Sequence, residues 1–336
     1  MKRRRNLLKM LVALITTLIL IAGCGGQAAP AAGGTGGGGA SNAGGNNGSG
    51  DRVLVVGSTV YYMTEFVTLM ADGMMSEAAA QGAELILLDA NDDAHAQITQ
   101  VENLIAQNVD VILVAAVDTD AIVPALAMTE AAGIPLVGVN MLINTDEPYY
   151  YLGPDDVLAG ELQAQFLMDL IGGSGNVVIL EGPIGTSAQL QRMEGNQNVL
   201  ANYPNVVQLA NQPANWSRAQ ALTLMENWLQ AFDQIDGVIA HNDEMALGAI
   251  QALEAAGVKD QIPVVGVDAI RDATLAIMDG RMEATVHQDA HLLGSGAVAL
   301  ALDVARGNSP DVMLQFIDMF LITSDNAEEL YNRVYR

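Results

Sequence analysis

The stretch from Asp236 to Leu253, DGVIAHNDEMALGAIQAL, decides the fold. Its first part, Gly237-Val238-Ile239-Ala240, is a short continuous apolar run of the kind buried on both faces of a sheet. Beyond His241-Asn242-Asp243-Glu244, the residues Met245, Leu247, Ile250 and Leu253 recur at helical intervals on one face. Strand, polar turn and helix together make the repeating unit of a parallel α/β sheet. In the turn, Asp243 is expected to be the helix N-cap and Glu244 an acidic first-turn residue, both favoured by the unpaired N–H groups and the positive end of the helix dipole. Asn242 is then left over at the carboxyl end of a strand, where doubly wound sheets bind ligands, and it is expected to reach a ligand.

The same unit repeats outward in both directions. Val53-Val56, Leu85-Leu88, Val111-Val114 and Pro135-Val139 form one series of apolar runs separated by Ala-rich helical segments, and Val177-Leu180, Val206-Leu209, Val238-Ala240 and Val264-Val267 form a second. Two α/β units of similar size follow, each with helices on both faces of a parallel sheet. Ser58, Asp89, Asp118, Asn140, Gly182, Asn242 and Asp268 are expected at strand ends. Polar groups at one edge of two facing sheets define a cleft between lobes.

The chain of 336 residues is 51% hydrophobic and carries a formal net charge of -25. A chain this acidic repels nucleic acid and anionic lipid, so no nucleic-acid partner is expected. At the N-terminus, Lys2-Arg3-Arg4-Arg5 precedes an apolar stretch from Met10 to Ala22, long enough for the core of a signal peptide and short for a membrane span. It ends in Ile21-Ala22-Gly23-Cys24, which resembles the lipobox of bacterial lipoproteins. Residues 1–23 are therefore read as a signal peptide, Cys24 as the lipidation site, and residues 24–50, dominated by Gly, Ala, Asn and Ser, as a flexible linker. Such a coil reaches about 30 Å. The body is expected to be exported and tethered at the cell envelope, in the periplasm or on the outer face of the cytoplasmic membrane.

Enzyme constellations are poor. Glu181-Gly182-Pro183-Ile184-Gly185-Thr186-Ser187 lacks the lysine of a phosphate loop. His287 and His291 flank Asp289, but Ala284-Thr285-Val286 puts His287 at a strand end, so the two histidines fall on opposite sides of a break. No metal and no cofactor is expected, and no serine has an evident base. Binding fits better: a neutral polyhydroxylated ligand needs groups that donate and accept together, which Asn242, Asp268, Gln288 and Arg192 supply, and an aromatic face, which Trp216 supplies. Tyr61, Tyr62 and Phe66 follow the first strand and are further candidates.

Five segments, HNDEMALGAIQAL, GTSAQLQRMEGNQ, NQPANWSRAQAL, VVGVDA and ATVHQDAHLLG, resemble in order and spacing the ribose-binding-protein family, the sugar-type solute-binding components of bacterial ABC importers. The similarity runs from about Val53 to about Asn326. The same fold forms the effector-binding core of lac-repressor-type regulators, but the signal peptide and the lack of a DNA-binding headpiece argue against that role. The resemblance implies a type I periplasmic-binding-protein fold: two doubly wound parallel-sheet lobes joined by a three-strand hinge near Gly153-Pro154-Asp155, Gln288-Asp289 and Asp318. The first lobe would comprise residues 51–153 and about 289–317, the second 154–288 and about 318–336. It also implies Arg192 as the ligand arginine, Trp216 as the stacking aromatic, Asn242 as the amide, Asp268 as the acid and Gln288 as the hinge-side amide, with Tyr61, Tyr62 or Phe66 as the first-lobe aromatic. Where sugar-binding relatives often carry Asp-Arg after the fourth strand, this chain has Asn140-Met141. The ligand is therefore left open among pentoses, hexoses, sugar alcohols and other small polar molecules such as a nucleoside. The partners implied are a membrane permease with its ATPase, for a monomeric protein. The other reading of the same cleft is a tethered sensor that presents its closed form to a membrane receptor.

Overall fold

The computed structural model describes residues 52–308 and 310–336. The signal peptide, Cys24 and the linker lie outside the described residues. In chain order the first elements are β1 Val55–Val60, α1 Glu65–Ala80, β2 Glu84–Asp89, α2 Ala94–Ala106, β3 Val111–Val114, α3 Val123–Ala132, β4 Leu136–Val139 and β5 Tyr150–Gly153. Next come α4 Asp156–Leu170, β6 Ser174–Glu181, α5 Ser187–Leu200, β7 Asn205–Pro213, α6 Arg218–Ala231, β8 Gly237–Ala240, α7 Asp243–Ala256, β9 Val264–Asp268, α8 Arg271–Met278 and β10 Ala284–His287. The last are α9 Ala290–Ala305, β11 Leu314–Phe316, β12 Phe320–Ile322 and α10 Ala327–Val334.

These strands build two six-stranded sheets, ordered β11-β5-β4-β3-β1-β2 and β12-β10-β9-β8-β6-β7. Each sheet with its helices forms one lobe. All pairings are parallel except β10 with β12, which is antiparallel. Every residue of β3, β4, β8 and β9 is buried, as expected when helices cover both faces of a sheet. The chain passes from the first sheet to the second between β5 and α4, back between β10 and α9, and over again between β11 and β12: α4 packs on α5 and the second sheet, while α9 packs on α1 and the first.

Two local expectations change. Strand β1 runs on to Val60, so Ser58 lies inside the strand, fully buried, instead of marking its end. The extension follows from Thr59 and Val60, β-branched residues suited to a strand, with the Thr59 hydroxyl donating to Gln100 Oε1 at 2.5 Å. The N-cap of α7 is Asn242, whose Oδ1 accepts from Met245 N at 3.0 Å, and not Asp243. Asp243 is drawn inward by better partners: its carboxylate accepts from Thr285 Oγ1 at 2.7 Å and from Ile270 N at 3.0 Å.

Helices α4 and α5 meet backbone to backbone. A Cβ on Gly195 would fall 2.2 Å from the Val157 carbonyl oxygen, and one on Gly160 would fall 2.2 Å from that of Arg192. An alanine in a helix is ordinarily about 1 kcal/mol better than glycine. Here the sign reverses, because the obstructing atoms are backbone: Gly195→Ala is expected to destabilise the body by about 1–3 kcal/mol. Urea denaturation checks this, and an unchanged or raised midpoint would contradict the close approach.

Candidate functional site

The carboxyl ends of both sheets face each other across a small cavity. Of the nine binding residues nominated from sequence, eight line it: Tyr61, Phe66, Asn140, Arg192, Trp216, Asn242, Asp268 and Gln288. Tyr62 does not line it. Its hydroxyl instead donates to the Asn215 carbonyl at 2.9 Å, across the cleft. Three more direct bonds join the lobes: Thr119 N to Gly185 O at 2.9 Å, Leu142 N to Ser187 Oγ at 2.8 Å and Arg271 N to Glu65 Oε1 at 3.3 Å. The lobes are therefore in contact around the cavity.

Arg192 organises the second-lobe wall. It projects from α5 and is 3% exposed. Its Nε donates to Asp156 Oδ1 at 2.8 Å, its Nη2 lies 2.7 Å from the same oxygen, and its Nη1 donates to the His241 carbonyl. Asp268 Oδ1 lies 4.0 Å away, and the guanidinium sits 5.7 Å from the centroid of the Trp216 ring, within cation–π range. Burial opposes the charge on Arg192, but Asp156 and Asp268 outweigh it and hold the group above its usual range. Asp156 was missed from sequence. It follows Asp155, which is the actual cap of α4 and accepts from Leu158 N at 3.0 Å, so Asp156 reads as one more first-turn acid.

Asp268 sits in an unusual backbone. Its φ is +124° and that of Ala269 is +57°, conformations rare outside glycine. The turn is held by the buried Asp243 carboxylate on Ile270 N and by Thr285 Oγ1, which accepts from Ala269 N at 3.2 Å. This directs the Asp268 side chain to the cavity, where Gln288 Nε2 donates to its Oδ1 at 2.5 Å. Asn140, directly after β4, is also left-handed at φ +63°, which asparagine tolerates. Its backbone is pinned by Tyr151, whose hydroxyl donates to Asn140 O at 3.1 Å. Trp216, at φ +55°, lays its ring against Gly182, where a Cβ would come within 2.0 Å of it.

Three buried polar atoms of cavity-lining residues have no hydrogen-bond partner among the described residues: Asn140 Oδ1, Trp216 Nε1 and Gln288 Oε1. Buried polar groups are nearly always paired, so these three are free to bond a group placed in the cavity. They come from the segment after β4 of the first sheet, the segment after β7 of the second, and the link between β10 and α9 respectively. Thr64 and Ala188 also line the cavity and carried no sequence signal, and Met141, noted from sequence beside Asn140, lines it too. The histidines fall as expected: His287 ends β10, Asp289 caps α9, and His291 lies in the first turn. Among the described residues no cluster of three His, Cys, Asp or Glu could hold a metal.

Two buried groups beside the cavity oppose each other in pH response. Burial and the nearby Arg192 lower His241 from its ordinary 6.5 to about 3, so the folded state keeps it neutral. Its contribution to stability is lost as pH falls from about 6.5 towards 3, because only the unfolded chain takes up that proton. Burial pushes Asp268 from 3.8 up to about 7, against the pull of Arg192, so the folded state holds a proton that the unfolded chain has released, and stability falls as pH rises through that window. Asp268→Asn removes the second effect and leaves the first. Relative to the parent, the variant is expected to gain stability between about pH 4 and 6.5 by up to about 1.4 kcal/mol per unit. Urea titrations at both ends check this, and parallel pH profiles would refute it.

The fold and this cavity are shared with known proteins. A family model for the periplasmic binding protein domain matches residues 55–309. The xylitol-binding protein of Mycolicibacterium smegmatis is 40% identical over 81% of this chain and 78% of its own length. A ribose import binding protein of Bacillus subtilis is 37% identical over 72% of this chain and 78% of its own. Among solved structures, an ABC transporter solute-binding protein from Bacillus halodurans with bound myo-inositol is 38% identical, superposes with a TM-score of 0.81, and is matched over 84% of this chain and 99% of that one. These relatives bind solutes and are not enzymes. With two facing parallel sheets, a cavity at their carboxyl ends and relatives of this identity and coverage, the chain belongs to the periplasmic-binding-protein family, in its ribose-binding-protein-like, sugar-binding branch.

Proposed function

We propose that this chain is the substrate-binding lipoprotein of a bacterial ABC importer, which captures a small polar ligand, a monosaccharide or polyol, between its lobes and presents the closed form to a membrane permease with its ATPase. The observation that carries the reading is the set of three unpartnered buried atoms, Asn140 Oδ1, Trp216 Nε1 and Gln288 Oε1, distributed over both lobes and the hinge. A ligand that satisfies all three must touch both lobes at once, and so binds only the closed form tightly. It then shifts the population towards closure. The names of the relatives, which bind xylitol, ribose and myo-inositol, support a sugar or polyol as cargo.

In this reading residues 51–153 and about 289–317 move as one lobe, and 154–288 with about 318–336 as the other. The links between β5 and α4, β10 and α9, and β11 and β12 act as the hinge. Signal-peptide removal leaves Cys24 as the lipid-bearing residue, with the linker letting the body work at the envelope surface as a monomer. No helix among the described residues is long and apolar enough to cross a membrane.

Calorimetry on the purified chain tests the site. Trp216→Ala is expected to weaken binding by about 1–3 kcal/mol through lost burial and ring contact. Asn242→Ser separates cap from ligand: serine caps as well as asparagine, so the unliganded melting temperature should hold while affinity falls at least about tenfold with the lost amide N–H. Unchanged affinity in both variants would move the ligand elsewhere. For the anchor, Cys24→Ser is expected to shift the protein from the membrane fraction to the soluble fraction on cell fractionation; retention on the membrane would exclude lipid tethering.

A further inference from the structure

The hydrogen-bonding groups of the cavity are unequally committed, and their inventory narrows the ligand. Arg192 is the one cationic side chain that lines it, and its hydrogen bonds run inward, to Asp156 through Nε and Nη2 and to the His241 carbonyl through Nη1. It is therefore poorly placed to clamp an oxygen that can only accept. Asn242 has given its Oδ1 to the helix cap, leaving its amide N–H groups as donors. Gln288 is fixed the other way round. Its amide nitrogen donates to the Asp268 carboxylate at 2.5 Å, so the unpartnered atom is an oxygen that can only accept. Asn140 presents an acceptor on the first-lobe wall, its amide nitrogen lying 3.5 Å from the Tyr61 hydroxyl. Asp268 contributes a second carboxylate oxygen on the second-lobe wall. Beside Asn140 stands Met141, whose thioether donates nothing.

Acceptors thus stand on all three sides of the cavity, at Asn140, Gln288 and Asp268, while donors come from Tyr61, Trp216, Asn242 and the hydroxyl of Thr64, whose oxygen already accepts from Val67 N, with whatever Arg192 has left. A hydroxyl serves at every one of these positions, because it donates and accepts. An ether oxygen, such as that of a sugar ring, serves only at the donors and leaves a buried acceptor unpaired at the others. An anionic ligand fits worse still, since the single guanidinium is already committed to Asp156 and lies 4.0 Å from Asp268.

We propose that the cavity selects uncharged polyols in which every oxygen carries a hydrogen, alditols or cyclitols, over cyclic aldoses of the same size, with Asn140-Met141 and the oriented Gln288 amide as the selecting groups. The inference rests on the binding-protein reading above and refines its ligand class.

Isothermal titration of the full chain, purified in detergent, tests it with matched pairs: xylitol against xylose, and myo-inositol against glucose, with gluconate as the anion. At least one polyol is expected to bind tenfold or more tighter than its aldose partner, and gluconate to give no heat. Met141→Arg, which adds a pure donor to the first-lobe wall, is expected to narrow that ratio to threefold or less. An aldose that binds the parent protein as tightly as its polyol partner overturns the polyol inference and leaves the sugar-binding role standing. No heat from either class, in a chain that melts cooperatively, overturns the binding-protein reading and the inference with it. A preference for polyols that survives Met141→Arg unchanged removes Met141 from the selecting groups.

Discussion

A guanidinium is never deprotonated in a protein, so burying one obliges the structure around it to supply countercharge and acceptors. Arg192 imposes that constraint here. Asp156 from α4 meets it on one side and the His241 carbonyl at the end of β8 on another, with Asp268 from β9 near by. One side chain therefore ties the start of α4, the middle of α5 and the ends of two strands into a single wall. The backbone contact of α4 with α5 through Gly160 and Gly195 is what brings Asp156 within reach. Removing either partner would leave an uncompensated buried charge, at a cost of about 3–5 kcal/mol. The wall is consequently preformed, and a ligand meets donors and acceptors already oriented.

The second support is Asp243. At a helix start it would have done ordinary service as a cap, worth about 1 kcal/mol. Instead Asn242 takes that role with its oxygen, and the Asp243 carboxylate turns inward to hold the strained backbone at Asp268 and Ala269. Burial and the neighbouring Asp268 both raise the affinity of Asp243 for a proton, so the arrangement costs stability at neutral pH. In return the cavity gains an acid whose position is fixed from behind by hydrogen bonds rather than left to a flexible loop.

What could be read from sequence follows from the same physics. Strands buried on both faces announce themselves as continuous apolar runs, and the eight runs read from the sequence all fall on strands of the structure, even where Val53-Val56 is displaced by two residues towards the N-terminus of β1. The strands missed, β5, β11 and β12, are only three or four residues long, and two of them lie at sheet edges, so their length does not distinguish them from loop. Cavity residues at strand ends were legible because a polar residue that stops an apolar run needs a reason. Asp156 and Asp243 were not legible in their true roles. Each stands beside the residue that caps its helix, and a single sequence cannot say which of two adjacent polar residues turns outward to the cap and which turns in.

Closure itself can be weighed. With the lobes in contact, three unpartnered polar atoms are shut away from water, each at a cost of about 1–3 kcal/mol. Against that stand the four direct bonds to oxygen between the lobes, each worth about 0.5–1.5 kcal/mol net, and the weaker one from Ser187 Oγ to Met141 Sδ at 3.7 Å. The two sums are of similar size, with the penalty the larger, so in the proposed mechanism these polar terms do not by themselves favour closure of an empty cavity. A ligand that pairs the three atoms removes the penalty and keeps the four bonds. On the proposed reading, rim contacts of this size would hold a satisfied cavity shut and fail to hold an unsatisfied one, which is the condition for closure to report on occupancy.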